Sequence, residues 1–301
     1  MLSILFLFIA IQCTYKPVNT TDPDFVPFAR NALPATEGSK TMTVMSWNVK
    51  HLGRELFNSA QASPLLADAD IVTFQEVNAS ETGLHALTNI ARHLSDLTHE
   101  RICIGLSQIP SDDRERYAYI WRNSRVAYVK TDGEIVYDCP NSAITIRLGV
   151  RNAAKIVREP ALGTFYFKPA AKQFVLASIH LIPTAKKPKN EVEPLFDTFR
   201  SVQHPLIVAG DYNLGPSHRV FKGVMGLGFQ GALAPGMKTS LRRKQRTLSK
   251  AYDNFWFRNI QLAGPPRVLN LYDIFTEKNR RDIYDNFSDH CPIIAQFHFL
   301  P

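Results

Sequence analysis

Four apolar, β-branched runs in this 301-residue chain each stop on a residue that can hold a metal ion or move a proton. Thr43-Val44-Met45-Ser46-Trp47 stops at Asn48, and Ile71-Val72-Thr73-Phe74-Gln75 stops at Glu76. Phe174-Val175-Leu176-Ala177-Ser178-Ile179 stops at His180, and Leu206-Ile207-Val208-Ala209-Gly210 stops at Asp211, with Asn213 two residues on. Each run has the length and composition of a strand. Their near-continuous hydrophobicity means that both faces are covered. A single polar strand end is ordinary at a turn. Asn, Glu, His and Asp-x-Asn at successive ends, with Ser288-Asp289-His290 just before a last apolar run, point instead to a site gathered where rigid strands finish.

Helical spacing falls between the runs. Leu84, Leu87, Ile90, Ala91 and Leu94 predict a helix over 80–97, with Ser80 or Thr82 at the cap position. Val192, Leu195, Phe196 and Phe199 predict a second over 190–202, with Asn190 as its cap. Further strands are expected at 117–121, 125–129, 163–167, 253–257 and 292–299, with Arg122-Asn123-Ser124 turning the chain between the first two. Hairpins mixed with helical crossovers imply α/β layers around packed sheets.

No linker divides the chain, so one domain is expected over 41–301. Ahead of it, 17–40 is rich in Pro, Thr and Asp and reads as an extended lead-in. The apolar run within 1–16 is too short to span a bilayer and reads as a signal peptide, although no Lys or Arg precedes it. A secreted or periplasmic monomer with no membrane span is the expectation. Lipid attachment at Cys13 is disfavoured, because Gln12 stands where a small residue is wanted. If Cys13 leaves with the leader, Cys103, Cys139 and Cys291 remain. Cys103 with Cys139 is the expected disulfide, and Cys291 the expected buried thiol. No Cys/His spacing suggests zinc.

The formal net charge of +8 favours polyanionic partners. Arg242, Arg243, Lys244, Arg246 and Lys250 form one basic cluster, and Lys186, Lys187 and Lys189 another. Both contain few aromatics, which suits contact with backbone phosphates rather than base stacking. His51, His85, His93, His99, His204, His218 and His298 lack motif context and read as surface or structural residues. Trp47, Trp121 and Trp256 read as core; Tyr212 either lines the site or packs beside it, and Arg116 reads as an ion-pair partner.

Phosphodiester hydrolysis needs an activated water, charge neutralisation at the phosphoryl oxygens and stabilisation of the leaving oxygen. Oxygen ligands such as Asn48, Glu76 and Asp289 suit a hard cation better than zinc. Two histidines can divide the base and acid roles, each oriented by a carboxylate such as Glu115 or Asp253. Arg158 can clamp a phosphate, and Lys50 can touch one.

Five ordered motifs carry a resemblance: Ser46-Trp47-Asn48 with Leu52-Gly53; Phe74-Gln75-Glu76-Val77; Ile179-His180; Gly210-Asp211-Tyr212-Asn213; and Ser288-Asp289-His290-Cys291-Pro292. They run from about Thr41 to the C-terminus, and in them the chain resembles the endonuclease/exonuclease/phosphatase superfamily. Arg114-Glu115-Arg116-Tyr117, Arg158-Glu159-Pro160 and Ala251-Tyr252-Asp253 make it similar to the deoxyribonuclease I branch. The resemblance implies an α/β (α+β) fold, a four-layer sandwich of two packed, mostly antiparallel mixed sheets flanked by helices. It implies a metal-dependent endonuclease with little sequence specificity acting on DNA backbone phosphates. Mg2+ is the implied ion, with Mn2+ as a substitute and Ca2+ as a structural ion.

By the same resemblance Glu76 is the principal metal ligand, with Asn48 and Asp289 beside it. His180 and His290 form an acid–base pair, oriented by Glu115 and Asp253 respectively. Asp211 and Asn213 position the phosphate, the metal or the water. Arg158, Tyr252, Lys50, Arg242, Arg243 and Lys244 are the candidate substrate contacts. Pancreatic-type enzymes carry an Arg two residues after the metal-binding Glu and a Tyr two residues before the orienting Glu. Here those positions are Asn78 and Asp113, so groove contacts of that kind are not expected and the basic run at 242–246 is expected to supply backbone affinity. The alternative activity is a lipid or inositol phosphatase, or a sphingomyelinase-like phosphodiesterase, on the same fold.

Overall fold

A computed structural model describes residues 39–54, 57–109, 114–148 and 156–301. The leader at 1–16, the lead-in up to residue 38, and Asp112 and Asp113 lie outside the described residues. The apolar runs become strands as their composition dictates. In chain order these are β1 (Met42–Leu52), β2 (Ile71–Asn78), β3 (Ile102–Ser107), β4 (Glu115–Arg122), β5 (Val126–Val129), β6 (Ile135–Val136), β7 (Ile144–Leu148) and β8 (Ala161–Phe167). They continue as β9 (Lys172–His180), β10 (Leu206–Asp211), β11 (Gln230–Gly231), β12 (Asp253–Arg258), β13 (Ile260–Leu262), β14 (Arg267–Val268) and β15 (Ile293–Phe299). The longer helices are α1 (Ser59–Leu66), α2 (Glu81–Thr98), α3 (Lys189–Thr198) and α4 (Phe221–Gly226).

The strands form one curled sheet that turns over at β7 into two packed halves. One half runs β13-β15-β1-β2-β4-β3 and the other β8-β9-β10-β12-β11, with β7 parallel to β3 and antiparallel to β8. Only β1/β2, β9/β10 and β3/β7 are parallel among the described pairings, so the mixed, mostly antiparallel expectation holds.

Alternation along each strand builds the layers. Val44, Ile71, Tyr119 and Trp121 point inward from one half, against Phe165, Phe174, Ile207 and Phe257 from the other. Phe165 is the hub of this inner core, with ring centroids of Tyr119, Trp121, Tyr128 and Phe174 at 5.7, 5.4, 5.9 and 5.7 Å. Each such fully buried side chain is worth about 1.5–3 kcal/mol of transfer free energy. Met45, Trp47, Val72 and Phe74 face outward and are covered by Leu66 of α1 and Leu87, Ile90 and Leu94 of α2. On the other half, Ala177, Ile179 and Val208 are covered by Val192, Leu195 and Phe196 of α3 and Phe221 of α4. The result is helix, sheet, sheet, helix.

Two helix ends differ from expectation. Ser80 does occupy the cap position of α2, but its hydroxyl meets Thr82 Oγ1 at 2.8 Å and caps no backbone N–H. The second helix starts at Lys189 after Pro188, not at an Asn190 cap, because the proline ring already holds φ at −55°. It also stops at Thr198, short of 202. The Arg258 guanidinium takes the carbonyls of Phe199 and Val202, both at 2.9 Å, which gives the chain another partner for those groups.

Cys103 on β3 is bonded to Cys139, across a sequence separation of 36, and Cys291 is free and buried. The bridge ties the excursion between β6 and β7 to the sheet. Closing a loop of that size is worth about 4 kcal/mol in the chain-entropy model. Cys103→Ser with Cys139→Ser is expected to lose about 2–4 kcal/mol, lowering the melting temperature by roughly 5–15 °C. Melting curves that coincide with and without a reductant would show that the bridge contributes nothing.

Candidate active site

The site forms where the two halves of the sheet finish side by side. On one half, Asn48 pairs with Gln75 in parallel register, and both ladders then slip: β1/β2 between Asn48 and Leu52, β2/β4 between Phe74 and Val77. Within these bulges Lys50, His51 and Glu76 adopt φ of 43°, 63° and 59°, a left-handed conformation that costs a side-chain-bearing residue free energy. Bulges re-aim side chains, and these turn Glu76 and His51 into the cleft. On the other half, Asp211 of β10 pairs with His180 of β9 and with Asp253 of β12. Gly210 makes that approach feasible. Its φ is +147°, and a Cβ there would lie 2.0 Å from the Ile179 carbonyl oxygen.

One oxygen stands at the centre. Asp211 Oδ2 is 3.7 Å from His180 Nε2, 3.6 Å from His290 Nε2 and 3.2 Å from Asn48 Nδ2. Asn48 Nδ2 also donates to Glu76 Oε1 at 3.0 Å, which lies 3.7 Å from His180 Nε2. Behind each imidazole stands a carboxylate. Glu115 Oε2 is 3.8 Å from His180 Nδ1, and Asp253 Oδ2 is 2.7 Å from His290 Nδ1. Thr239 Oγ1 donates to the same Asp253 oxygen at 2.6 Å. The Asn213 N–H donates to Asp211 Oδ1 at 2.7 Å, and its amide to the Leu181 carbonyl at 3.0 Å.

Burial sets the electrostatics. His180 is held well below the ordinary imidazole value, first by desolvation and then by the Arg158, His290 and His51 charges. Burial opposes the charge on His290 too, but Asp253 and Asp211 together outweigh it and raise that group well above the ordinary value. The Asp211 carboxyl is pushed up to about 7, by desolvation first, against the pull of His290. Two neighbouring imidazoles are thus driven in opposite directions by environment alone. The Cys291 thiol is pushed up to about 12 by burial, as suits an inert core thiol.

Among the described residues, two groups present three ligand atoms within 4.8 Å of one another: His51, Glu76 and Glu115, and Asp211, Asp253 and His290. The second is closed by its own Asp253–His290 and Thr239–Asp253 bonds. The first is the more open. A cluster of carboxylates around Glu76, with the neutral Asn48 amide bridging two of them, suits a divalent cation. Asp289 lies close enough to act on Lys50, Tyr284 and His290 electrostatically.

The remaining candidates divide. Arg158 donates to the Leu181 carbonyl at 3.4 Å, within range of His180. Thr184 Oγ1 donates to the Asn213 carbonyl and lies 2.9 Å from the Tyr252 hydroxyl, which can donate to it in turn. Lys50 Nζ donates to the Tyr284 carbonyl at 2.9 Å and sits 4.1 Å over the Tyr284 ring. Arg242, Arg243 and Lys244 are exposed at the tip of a hairpin closed by Leu241 and Leu248. Its base is bonded to the site, Leu241 N–H to the Asp289 carbonyl at 2.7 Å. Arg243 pairs with Asp285 at 3.2 Å. Arg246 is exposed, but its guanidinium is engaged by the carbonyls of Tyr272, Phe275 and Lys278. Asn78 Oδ1 accepts the Ser80 N–H at the start of α2. Tyr212 is fully buried and packs instead of lining the cleft, while Trp47, also fully buried, donates to the His290 carbonyl at 3.0 Å.

His51 was read from sequence as a surface or structural residue, and the structure places it in the site. Its Nδ1 is 2.7 Å from Glu115 Oε1 and 3.5 Å from Glu76 Oε2. Its distance in sequence from Glu115 hides this, because the bulge that turns it inward leaves no pattern. Beside it a small cleft is lined by Lys50, His51, Arg54 and Phe57.

Comparison with known proteins identifies the family and the fold. Residues 45–290 match the model of the Endonuclease/Exonuclease/phosphatase family. A deoxyribonuclease of Thioalkalivibrio sp. (strain K90mix) is 24% identical over 276 residues, covering 85% of this chain and 71% of that protein. Among solved structures, humanized D. rerio TDP2 superposes with a TM-score of 0.60 at 16% identity, over 86% of this chain and 100% of that one. The human Nocturnin catalytic domain gives 0.55 at 19% identity, over 87% and 95%. With a family model matching residues 45–290 and the same sandwich in solved structures, the chain belongs to the endonuclease/exonuclease/phosphatase family.

Proposed function

We propose that this chain is a divalent-metal-dependent DNA endonuclease that hydrolyses phosphodiester bonds with His180 and His290 as its acid–base pair. The observation that carries the reading is the pair of buried imidazoles flanking one carboxylate oxygen, at 3.7 and 3.6 Å, each backed by a second carboxylate. That arrangement gives a phosphoryl group one proton acceptor and one proton donor from opposite sides. His180, kept neutral in its buried position, takes a proton from the attacking water. His290, whose charged form is held by the 2.7 Å contact with Asp253, gives one to the leaving oxygen as the P–O bond breaks. Asp211 and Asn213 orient the water and phosphate, and Arg158 contacts a phosphate oxygen. Glu76, with Asn48 and Asp289, holds the cation, with Mg2+ as the ion. When bound it supplies charge neutralisation at the phosphoryl oxygens.

DNA as substrate is supported by the deoxyribonuclease relative and by the basic hairpin anchored at Asp289. Nicking without strong sequence preference follows, because backbone phosphates carry no base identity. An oxidising compartment suits the Cys103–Cys139 bridge and a cleaved leader.

Plasmid cutting, substituted substrates and DNA binding each test this reading. Supercoiled plasmid incubated with Mg2+ is nicked by the wild type and protected by chelator. His180→Ala and His290→Ala each slow nicking by about 10²- to 10⁴-fold. Intact plasmid alongside release of phosphate from lipid would replace DNA by the alternative substrate. Replacing the leaving oxygen by sulfur removes the need for an acid, so such a substrate restores cutting by His290→Ala and leaves His180→Ala slow. Restoration of both variants, or of His180→Ala alone, reverses or removes the role assignment. Exchanging Arg242, Arg243 and Lys244 for Gln lowers DNA affinity and flattens its salt dependence, by a log–log slope of about 0.9 per lost phosphate contact. An unchanged slope in a filter-binding series would dismiss the hairpin as a phosphate contact.

A further inference from the structure

We propose that His51 makes the Glu76 site selective for a first-row transition cation of the Mn2+ class over Mg2+, with Glu115 as a shared carboxylate. The proposal rests on the reading that Glu76 binds a divalent cation, and goes beyond it by adding a nitrogen ligand and a preference.

Three adjacent strands each supply one group. His51 lies on β1, Glu76 on β2 and Glu115 at the start of β4, where it pairs with Asn78. Strand neighbours hold ligand geometry more firmly than loops. His51 Nδ1 is 2.7 Å from Glu115 Oε1 and 3.5 Å from Glu76 Oε2, and the three ligand atoms lie within 4.8 Å of one another. Ligand atoms about 2.1 Å from one cation stand roughly 3.0 Å apart in an octahedral shell and about 3.4 Å apart in a tetrahedral one. The His51 contacts fall around those spacings. The His51 side chain is 54% exposed, so this edge of the group is open to solvent.

The donor set decides the preference. Carboxylate oxygens serve Mg2+ and Mn2+ alike, whereas an imidazole nitrogen is accepted more readily by Mn2+ than by the harder Mg2+, and more readily still by the ions after Mn2+ in the series. To hold a cation, Nδ1 would present its lone pair in place of its present 2.7 Å contact with Glu115 Oε1, and the ring hydrogen would reside on Nε2. Glu115 then uses both oxygens. Oε1 lies on the cation side beside His51, and Oε2 faces His180 Nδ1 at 3.8 Å. The same carboxylate therefore links the cation to the orientation of the His180 ring, an arrangement in which an outer carboxylate tunes a metal site.

Mn2+ itself is the probe. Calorimetric titration of the full chain with Mn2+ and with Mg2+ is compared for wild type and His51→Ala. His51→Ala is expected to weaken Mn2+ by about tenfold or more while leaving Mg2+ within about twofold. Pulsed electron paramagnetic resonance of the Mn2+ complex is expected to show imidazole nitrogen coupling in wild type and His180→Ala, and none in His51→Ala. Equal loss of both ions, unchanged Mn2+ affinity, or nitrogen coupling that survives in His51→Ala overturns the proposal. Wild type that binds neither ion overturns the metal reading of Glu76 as well, whereas plasmid nicking with Mg2+ tests that reading separately. His51→Ala is checked for an unchanged melting curve, and His51→Gln, which keeps the volume but not the nitrogen ligand, is expected to behave as the Ala variant does.

Discussion

A few hydrogen bonds between the two sheet halves decide where everything in the cleft stands. The Tyr117 and Tyr119 hydroxyls on β4 cross the core to β9 and accept the backbone N–H groups of His180 and Ser178, both at 3.1 Å. Gln75, beside Glu76, donates to the Ser178 hydroxyl at 2.9 Å. These polar atoms are buried among apolar side chains, where each one left unpaired costs about 1–3 kcal/mol. Sliding one half against the other would strand several at once. Apolar packing alone tolerates small shifts, because it is non-directional. The bridges do not, and they set His180 against Glu76 and Asp211 against Asn48.

Once that register is fixed, charge arranges itself around it. Four carboxylates, two buried imidazoles and one amide share a space from which most water is excluded. The low dielectric magnifies each neighbour. Burial opposes the charged form of both imidazoles; Asp253 and Asp211 outweigh it at His290, whereas the Arg158, His290 and His51 charges add to it at His180. Chemically identical side chains thus acquire opposite tendencies from the sign of the charges around them.

The backbone carries part of the cost of this arrangement. Glu76, Lys50, His51 and Asn213 all sit at positive φ, and four such residues around one cleft are a departure from relaxed strand geometry. The surrounding core over-determines them. Trp47 is pinned through its indole to the His290 carbonyl, and Ser288 Oγ binds the Asn48 carbonyl at 2.6 Å. The last motif of the chain is thereby tied to the first.

The sequence by itself determined the strands that matter and the residues at their ends. The apolar runs placed His180 and Asp211 at strand ends without coordinates, whereas Asn48 and Glu76 lie inside strands that continue past bulges to Leu52 and Asn78. The linear pattern also marked Cys103 with Cys139 and the mixed layers. Tertiary structure alone decided the membership of His51, which depends on a bulge of one local register, and the engagement of the exposed Arg246 guanidinium by backbone carbonyls, which depends on where distant segments pass. It likewise shortened α3, because Arg258 from another strand took the carbonyls at its end. Local periodicity encodes which face a residue takes. Which partner it meets there is set by contacts between segments tens to hundreds of residues apart, and no window of sequence contains both.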